Sequence, residues 1–214
     1  MDTIQVNHVV PYFISDTGKP VSEIWHKEVR FSRNKLYLIS ASSGAGKSSL
    51  LSYIFGERTD YSGDFLYDDV NGNAMKITEW TQLRTFVISC VFQGLRLFPE
   101  LTALENVSIK NHLTGHKTEE EIKQMFVEAG LEDKVNDKVA RLSFGQQQRI
   151  AVIRALCQPF DFLLMDEPFS HLDDDNVAVM SKMVASELKS KNAGLILCSL
   201  GPEYPFAYDV KLKL

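Results

Sequence analysis

Four short, nearly uninterrupted apolar runs stand out along the chain. They are Lys35 to Ser40, Thr85 to Phe92, Phe160 to Met165 and Leu195 to Ser199. Runs of this length with β-branched members read as buried strands. The last two lack alternation, as strands do when helices cover both faces of a parallel sheet. Between them Val177 to Leu188 carries helical spacing, which gives a strand, helix, strand crossover. Nearer the N-terminus, Ile4 to Phe13 and Ile24 to Phe31 alternate partially and predict antiparallel strands. The turn-forming Asp16-Thr17-Gly18-Lys19-Pro20 separates them. From Ala103 to about Val139 the pattern turns helical, clearest at Glu119 to Ala129, with Thr118 as N-cap ahead of Glu121. The expected architecture is α/β: a mainly parallel core sheet, an antiparallel β subdomain before it, and an inserted helical subdomain.

Composition narrows the class. A chain of 214 residues suits one domain with subdomains. Its 44% hydrophobic and 24% charged residues match a folded globular protein without low-complexity tracts. Net charge is −5 and no stripe of Lys and Arg is present, so no nucleic-acid partner is expected. The apolar runs fall well short of the roughly 18 to 20 residues that span a bilayer. The N-terminal MDTIQVNHVVPYF lacks the basic, apolar and small-residue regions of a secretory signal, so export is not expected. Cys90, Cys157 and Cys198 are odd in number and scattered in apolar surroundings, which predicts reduced core thiols.

The chemistry begins after the first apolar run. Ser42-Ser43-Gly44-Ala45-Gly46-Lys47-Ser48-Ser49 follows a predicted strand and precedes the helix-like LLSYIF, the context of a P-loop. Glycines there let backbone amides turn inward on the β- and γ-phosphates of a nucleotide. Lys47 supplies a mobile charge, and the Ser48 hydroxyl completes the shell of a magnesium ion. The motif G-x-x-x-x-G-K-S places glycine at position 41, where this chain has Ala41. A left-handed backbone at that point would cost alanine on the order of 1 kcal/mol.

A second feature, FLLMDEP, puts Asp166 and Glu167 at the carboxyl end of a strand, where open α/β sheets bind ligands. There Asp166 can hold magnesium, and Glu167 can polarise a water for attack on the γ-phosphate.

Between these features lies LSFGQQQRIAVIRAL, in which Leu142, Ser143, Gly145 and Gln146 match the signature L-S-G-G-Q and Phe144 replaces its first glycine. The chain thereby resembles the ATP-binding cassette family, whose matches continue in order along nearly its whole length. The resemblance implies a single P-loop NTPase cassette over 1–214, with 1–93 and 141–214 as core and β subdomain and 94–140 as helical subdomain. It further implies a head-to-tail dimer, of two identical or two related cassettes, in which Ser143, Gly145 and Gln146 of one chain meet ATP on the other. Gln93 resembles the glutamine that touches magnesium and the attacking water, and Asp173 in Ser170-His171-Leu172-Asp173 resembles the acidic anchor of the loop crossing the interface. Tyr12 resembles the aromatic that stacks on adenine, with Phe13 as the alternative.

FQGLRLFPELTALENV, Phe92 to Val107, is similar to the lipoprotein-release, macrolide-export and cell-division branch of the family. There the corresponding groove receives a short helix of the permease, so Leu95 to Leu104 would be that contact, or would pack only within the helical lobe. By the same resemblance the cofactors are ATP and Mg2+. The partner is an integral membrane permease, and the location is cytoplasmic, peripheral on the inner face of the membrane.

One position breaks the family pattern. After the last core strand the family carries a γ-phosphate-binding histidine, and ILCSLGPE puts Leu200 there. A leucine cannot donate to phosphate or orient water, so slow hydrolysis is expected. His8, His26, His112 and His116 lie elsewhere, and His171 reads as a partly exposed loop residue, not a catalyst. Leu200 and Ala41 also keep open a cassette that binds ATP with little turnover and acts through a partner. A DNA-repair or chromosome-organising ATPase would need long heptad insertions that are missing between Lys47 and Leu142.

Overall fold

The computed structural model describes residues 1–14, 22–42, 44–201 and 203–214. The expected turn at Asp16 to Pro20 lies outside them. Nine strands fall into two sheets among the described residues. β1 (Thr3–Pro11), β2 (Glu28–Ser32), β4 (Tyr61–Tyr67) and β5 (Val70–Asn71) form an antiparallel sheet in the order β2-β1-β4-β5. β3 (Leu36–Ser40), β6 (Ile88–Val91), β7 (Phe162–Asp166), β8 (Gly194–Ser199) and β9 (Val210–Lys213) form a parallel sheet in the order β6-β7-β8-β3-β9.

Every residue of β7 and β8 is buried. Successive side chains point to opposite faces, so these two strands feed two cores. Leu163, Met165, Leu195 and Leu197 pack with α3 (Ala103–His112), α4 (Glu119–Glu128), α5 (Phe144–Leu156) and α6 (Asp174–Lys191). Phe162, Leu164, Ile196 and Cys198 pack on the other face with α1 (Lys47–Ile54), Leu83 of α2 (Ile77–Phe86), and Ile4, Val6, Phe31 and Phe65 of the antiparallel sheet. That continuous burial is why the sequence shows apolar runs there and not alternation. Cys157 and Cys198 are buried and all three cysteines are free, Cys90 being half-buried.

The helical segment follows its capping signals. Thr102 and Glu105 open α3, and Thr118 and Glu121 open α4. In each pair the threonine hydroxyl accepts from the glutamate N–H while the carboxylate accepts from the threonine N–H. Ile122, Met125 and Phe126 form the buried face of α4.

Three stretches differ from the sequence reading. Thr85 and Phe86 close α2, and the strand expected at Thr85 to Phe92 is confined to Ile88–Val91. The β-branched threonines are accommodated because Thr81 and Thr85 hydroxyls donate to the carbonyls of Ile77 and Thr81 one turn back. The strand expected from Ile24 starts at Glu28. Ser22 Oγ accepts from the N–H groups of Ile24 and Trp25, folding that stretch into a turn. β1 ends at Pro11, short of Phe13. β4, β5, α2 and β9 carry patterns too weak or too short to predict an element.

Candidate active site

The loop after β3 is shaped by two left-handed glycines, Gly44 (φ 82°) and Gly46 (φ 100°). A Cβ on Gly46 would stand 3.2 Å from the rings of both Phe13 and Trp25, so this position needs glycine for space as well as for conformation. Trp25 is buried and its indole N–H donates to Ala45 O at 3.2 Å, which pins the loop from behind. Ala41 is not left-handed. Its N–H donates to Ser199 O, extending the β3–β8 pairing, so the strain considered for alanine does not arise.

Gly46 caps α1 without a side-chain bond and no acidic residue stands in the first turn, which leaves the helix N-terminus to an anion. Lys47 is buried and reaches back across the loop to the carbonyls of Ala41 (3.1 Å) and Ser42 (3.3 Å). Ser48 Oγ lies 3.4 Å from Gln93 Oε1, on the turn that follows β6. Ser43 lies outside the described residues.

Opposite the loop, β7 delivers Asp166 and Glu167, each 5% exposed. Glu167 is left-handed (φ 49°), and its N–H donates to Cys198 O at 3.1 Å. Burial raises the pKa of both carboxyls above the ordinary range. Ser48 and Lys47 oppose the shift at Asp166, and Lys47 opposes it at Glu167, where the Leu200 backbone amide also bonds the carboxylate. Asp166 Oδ1 and Glu167 Oε1 are buried without a hydrogen-bond partner.

Orphaned buried acceptors are costly and call for a partner. Among the described residues no three His, Cys, Asp or Glu gather closely enough to hold a metal. One carboxylate, a hydroxyl and an amide oxygen facing a phosphate-shaped loop fit a magnesium ion that takes its remaining ligands from phosphate and water.

Loop, Gln93, Asp166 and Glu167 enclose one cavity of about 360 Å³ that Leu200 also lines. Two further residues complete the wall: Phe13, the aromatic expected as the alternative to Tyr12, and Arg58, which the sequence did not mark. Phe13 lies in the wall, whereas Tyr12 is 70% exposed and outside it. Arg58 also lines it, donating to Ser49 Oγ (2.9 Å) and paired with Asp60. Nothing in GERTD marks Arg58 in advance; its position follows from how the chain leaves α1 for β4.

The remaining candidates sit apart from this cavity. Ser143 caps α5, its Oγ accepting from Gln146 N while Gln146 Oε1 accepts from Ser143 N. A Cβ on Gly145 would stand 3.1 Å from His171 O, so glycine lets α5 approach the 170–172 turn. The Phe144 ring meets His171 edge-on at 4.5 Å. Buried Gln148 ties the same turn to α5, accepting from His171 N and donating to Ser170 Oγ. Asp173 caps α6, where bonds from the Asn176 backbone and side chain hold its carboxyl below the usual range. Within one chain, Ser143, Gly145, Gln146 and Asp173 do not line the cavity.

Residues 26–170 match the family model described as ABC transporter. The chain is 30% identical over 209 residues to an uncharacterized ABC transporter ATP-binding protein, YclH, of Bacillus subtilis, covering 96% of this chain and 90% of that one. It is 33% identical over 175 residues to the lipoprotein-releasing system ATP-binding protein LolD of Syntrophotalea carbinolica, covering 80% and 77%. Among solved structures it resembles MJ0796, a bacterial ABC transporter cassette seen as a dimer, with TM-score 0.79, 26% identity and coverage of 92% and 88%. A post-hydrolysis dimer of MJ0796 bound to ADP and Pi gives TM-score 0.77 over 92% and 87%. With its P-loop, its paired carboxylates and these relatives, the chain belongs to the ABC transporter family as an ATP-binding subunit, an ATPase cassette.

Proposed function

We propose that this cassette binds MgATP between the Lys47 loop of one copy and the Ser143 end of α5 in another, and that closing and reopening of the pair drives a membrane permease. One observation carries the reading: two buried carboxylate oxygens without partners face a left-handed glycine loop bearing a buried lysine. The cavity has donors on one wall and acceptors on the other, which suits a triphosphate and the water that attacks it.

In this reading the amides of Gly44, Ala45 and Gly46, with those of Lys47, Ser48 and Ser49, cradle the phosphates beside Ser42 and Ser43. Lys47 neutralises charge at the β,γ-bridge. Ser48, Gln93 and Asp166 would hold magnesium, whose chemistry when bound is to neutralise phosphate oxygens. Glu167 Oε1 accepts a hydrogen bond from the attacking water, and the amide bond from Leu200 fixes its other oxygen. Phe13, already in the wall, is the better placed aromatic for adenine, and Tyr12 the alternative.

Ser143, Gly145, Gln146 and Asp173 lie away from their own cavity, which supports a site completed by a second copy. The 94–140 segment acts as the subdomain that meets the permease and 1–93 with 141–214 as the motor core. Phe98, half-exposed in the stretch similar to that of the lipoprotein-release branch, is the leading contact there. No helix among the described residues is long and apolar enough to cross a membrane, so the permease supplies the anchor at the inner face.

A second reading has specific support. Leu200 lines the cavity and offers a backbone amide but no side-chain donor to the γ-phosphate. The cassette then closes on ATP and turns it over slowly, working as a regulatory or structural member of a pair. Size-exclusion chromatography of Glu167→Gln at saturating MgATP separates the outcomes. An ATP-dependent dimer supports the sandwich. A monomer that binds ATP sinks it and leaves a lone nucleotide pocket. Turnover of the wild-type protein then separates motor from regulatory cassette.

A further inference from the structure

Leu95 (φ 55°) and Arg96 (φ 50°) are the one adjacent pair of non-glycine residues with positive φ among the described residues. Such backbone persists where its surroundings over-determine it, and it concentrates at functional segments. Here the surroundings are two guanidinium groups. Arg154, near the end of α5, donates to Leu95 O at 2.5 Å and to Arg96 O at 2.7 Å. From the other side Arg96 forms a two-point pair with Glu57, just past α1, with Nη2 to Oε2 at 2.8 Å. Its guanidinium also lies 3.7 Å from the centre of the Phe92 ring, which meets Phe55 edge-on at 5.3 Å. Burial pulls the Arg154 pKa down to about 10, so the guanidinium remains charged at neutral pH.

The clamped turn, closed by the Leu95 N–H donating to Phe92 O, carries Gln93, whose Oε1 faces Ser48 across the cavity mouth. At the far end of α5, eleven residues and about 16 Å of helical rise from Arg154, stands Ser143. The phosphate-side wall of the cavity and the helix that presents Ser143 are therefore joined through one guanidinium.

We propose that Arg154, seconded by the Glu57–Arg96 pair, is a positioning residue that holds the 92–96 turn in its left-handed form and so sets Gln93 against Ser48. The proposal rests on the MgATP reading of the cavity. A displacement of α5 reaches the turn bearing Gln93 through a helix and two hydrogen bonds, with Gly94 alone between Gln93 and the clamped Leu95. The guanidinium meets the two carbonyls through two nitrogens, Nη1 and Nη2, fixed in one plane, a spacing that the single nitrogen of a lysine at this position does not reproduce.

The test uses the full chain and equilibrium binding of a fluorescent ATP analogue with and without Mg2+. The readout is the factor by which Mg2+ tightens binding in wild type, Gln93→Ala, Arg154→Lys and the double variant. Gln93→Ala and Arg154→Lys each shrink that factor by about tenfold, the usual scale for residues that orient a metal ligand. The double variant loses no more than Gln93→Ala alone. A wild-type factor in Arg154→Lys, or losses that multiply in the double variant, overturns the proposal while leaving the ATP site intact. Wild-type protein without affinity for the analogue in either condition fails the reading of the cavity itself. Should Arg154→Lys not fold, Glu57→Gln on the more exposed side of the clamp carries the same comparison with a smaller loss.

Discussion

Lys47 Nζ stands 3.9 Å from Glu167 Oε1, with both side chains more than nine-tenths buried. That is within ion-pair range and beyond hydrogen-bonding distance, so the lysine spends its donors on the Ala41 and Ser42 carbonyls while the glutamate oxygen stays unpartnered. The folded chain therefore bears the cost of a buried carboxylate oxygen without a hydrogen-bond partner.

That cost has a sign. Burial raises the folded-state pKa of Glu167, so folding favours the protonated form relative to the unfolded chain. The contribution is fully present below the ordinary carboxylate pKa and is lost as pH rises through the raised value. Glu167→Gln mimics the protonated state. It should raise the melting temperature of ligand-free protein at pH 8, by the equivalent of about 1 to 3 kcal/mol, and leave it unchanged near pH 4. Calorimetry at both pH values checks this; destabilisation at pH 8 would contradict it.

Restoring the missing imidazole tests the effect of Leu200. Leu200→His should raise ATP turnover by about 10²-fold, the low end of what a positioned acid-base group supplies. Steady-state phosphate release at saturating MgATP measures it. Equal rates would mean that another group already fills the role.

The two aromatics that follow β1 make opposite predictions. Phe13→Ala should weaken ATP binding by about 1 kcal/mol, roughly fivefold in Kd, through loss of a ring in the cavity wall. Tyr12→Ala should leave Kd within about twofold, since its ring is mainly in solvent. Titration calorimetry of both variants decides, and the reverse ranking would return adenine to Tyr12.

The loop glycines differ in why they are glycine. Both Gly44 and Gly46 are left-handed, and each alanine should cost about 1 to 2 kcal/mol on that account. A Cβ on Gly44 meets nothing within 4 Å, whereas on Gly46 it meets two rings at 3.2 Å. Gly46→Ala should therefore destabilise the protein more than Gly44→Ala in urea unfolding. Equal losses would show that Phe13 and Trp25 move aside freely.

Much of the site was legible because its parts are local. Gly44 to Ser48 lie between a strand and a helix, and Asp166-Glu167 end an apolar run; in each the chemistry and its context are neighbours along the chain. The capping pair Thr118 and Glu121 was legible for the same reason. The misread stretches depend on bonds that the pattern hides. Thr81 and Thr85 look like strand residues until their hydroxyls are seen to bond one turn back, and Ile24 looks like strand until Ser22 folds it into a turn.

By itself the sequence determined many of the elements, the order of the motifs and the family, since periodicity, caps and a phosphate loop are written in adjacent residues. Tertiary structure alone decided which aromatic enters the cavity, that Ala41 is unstrained, that Arg58 joins the wall, and that Arg154 grips the turn bearing Gln93. Arg154 and Leu95 are fifty-nine residues apart. Contacts at such separation are set by how helices pack on a sheet, and no local pattern of polar and apolar positions encodes them.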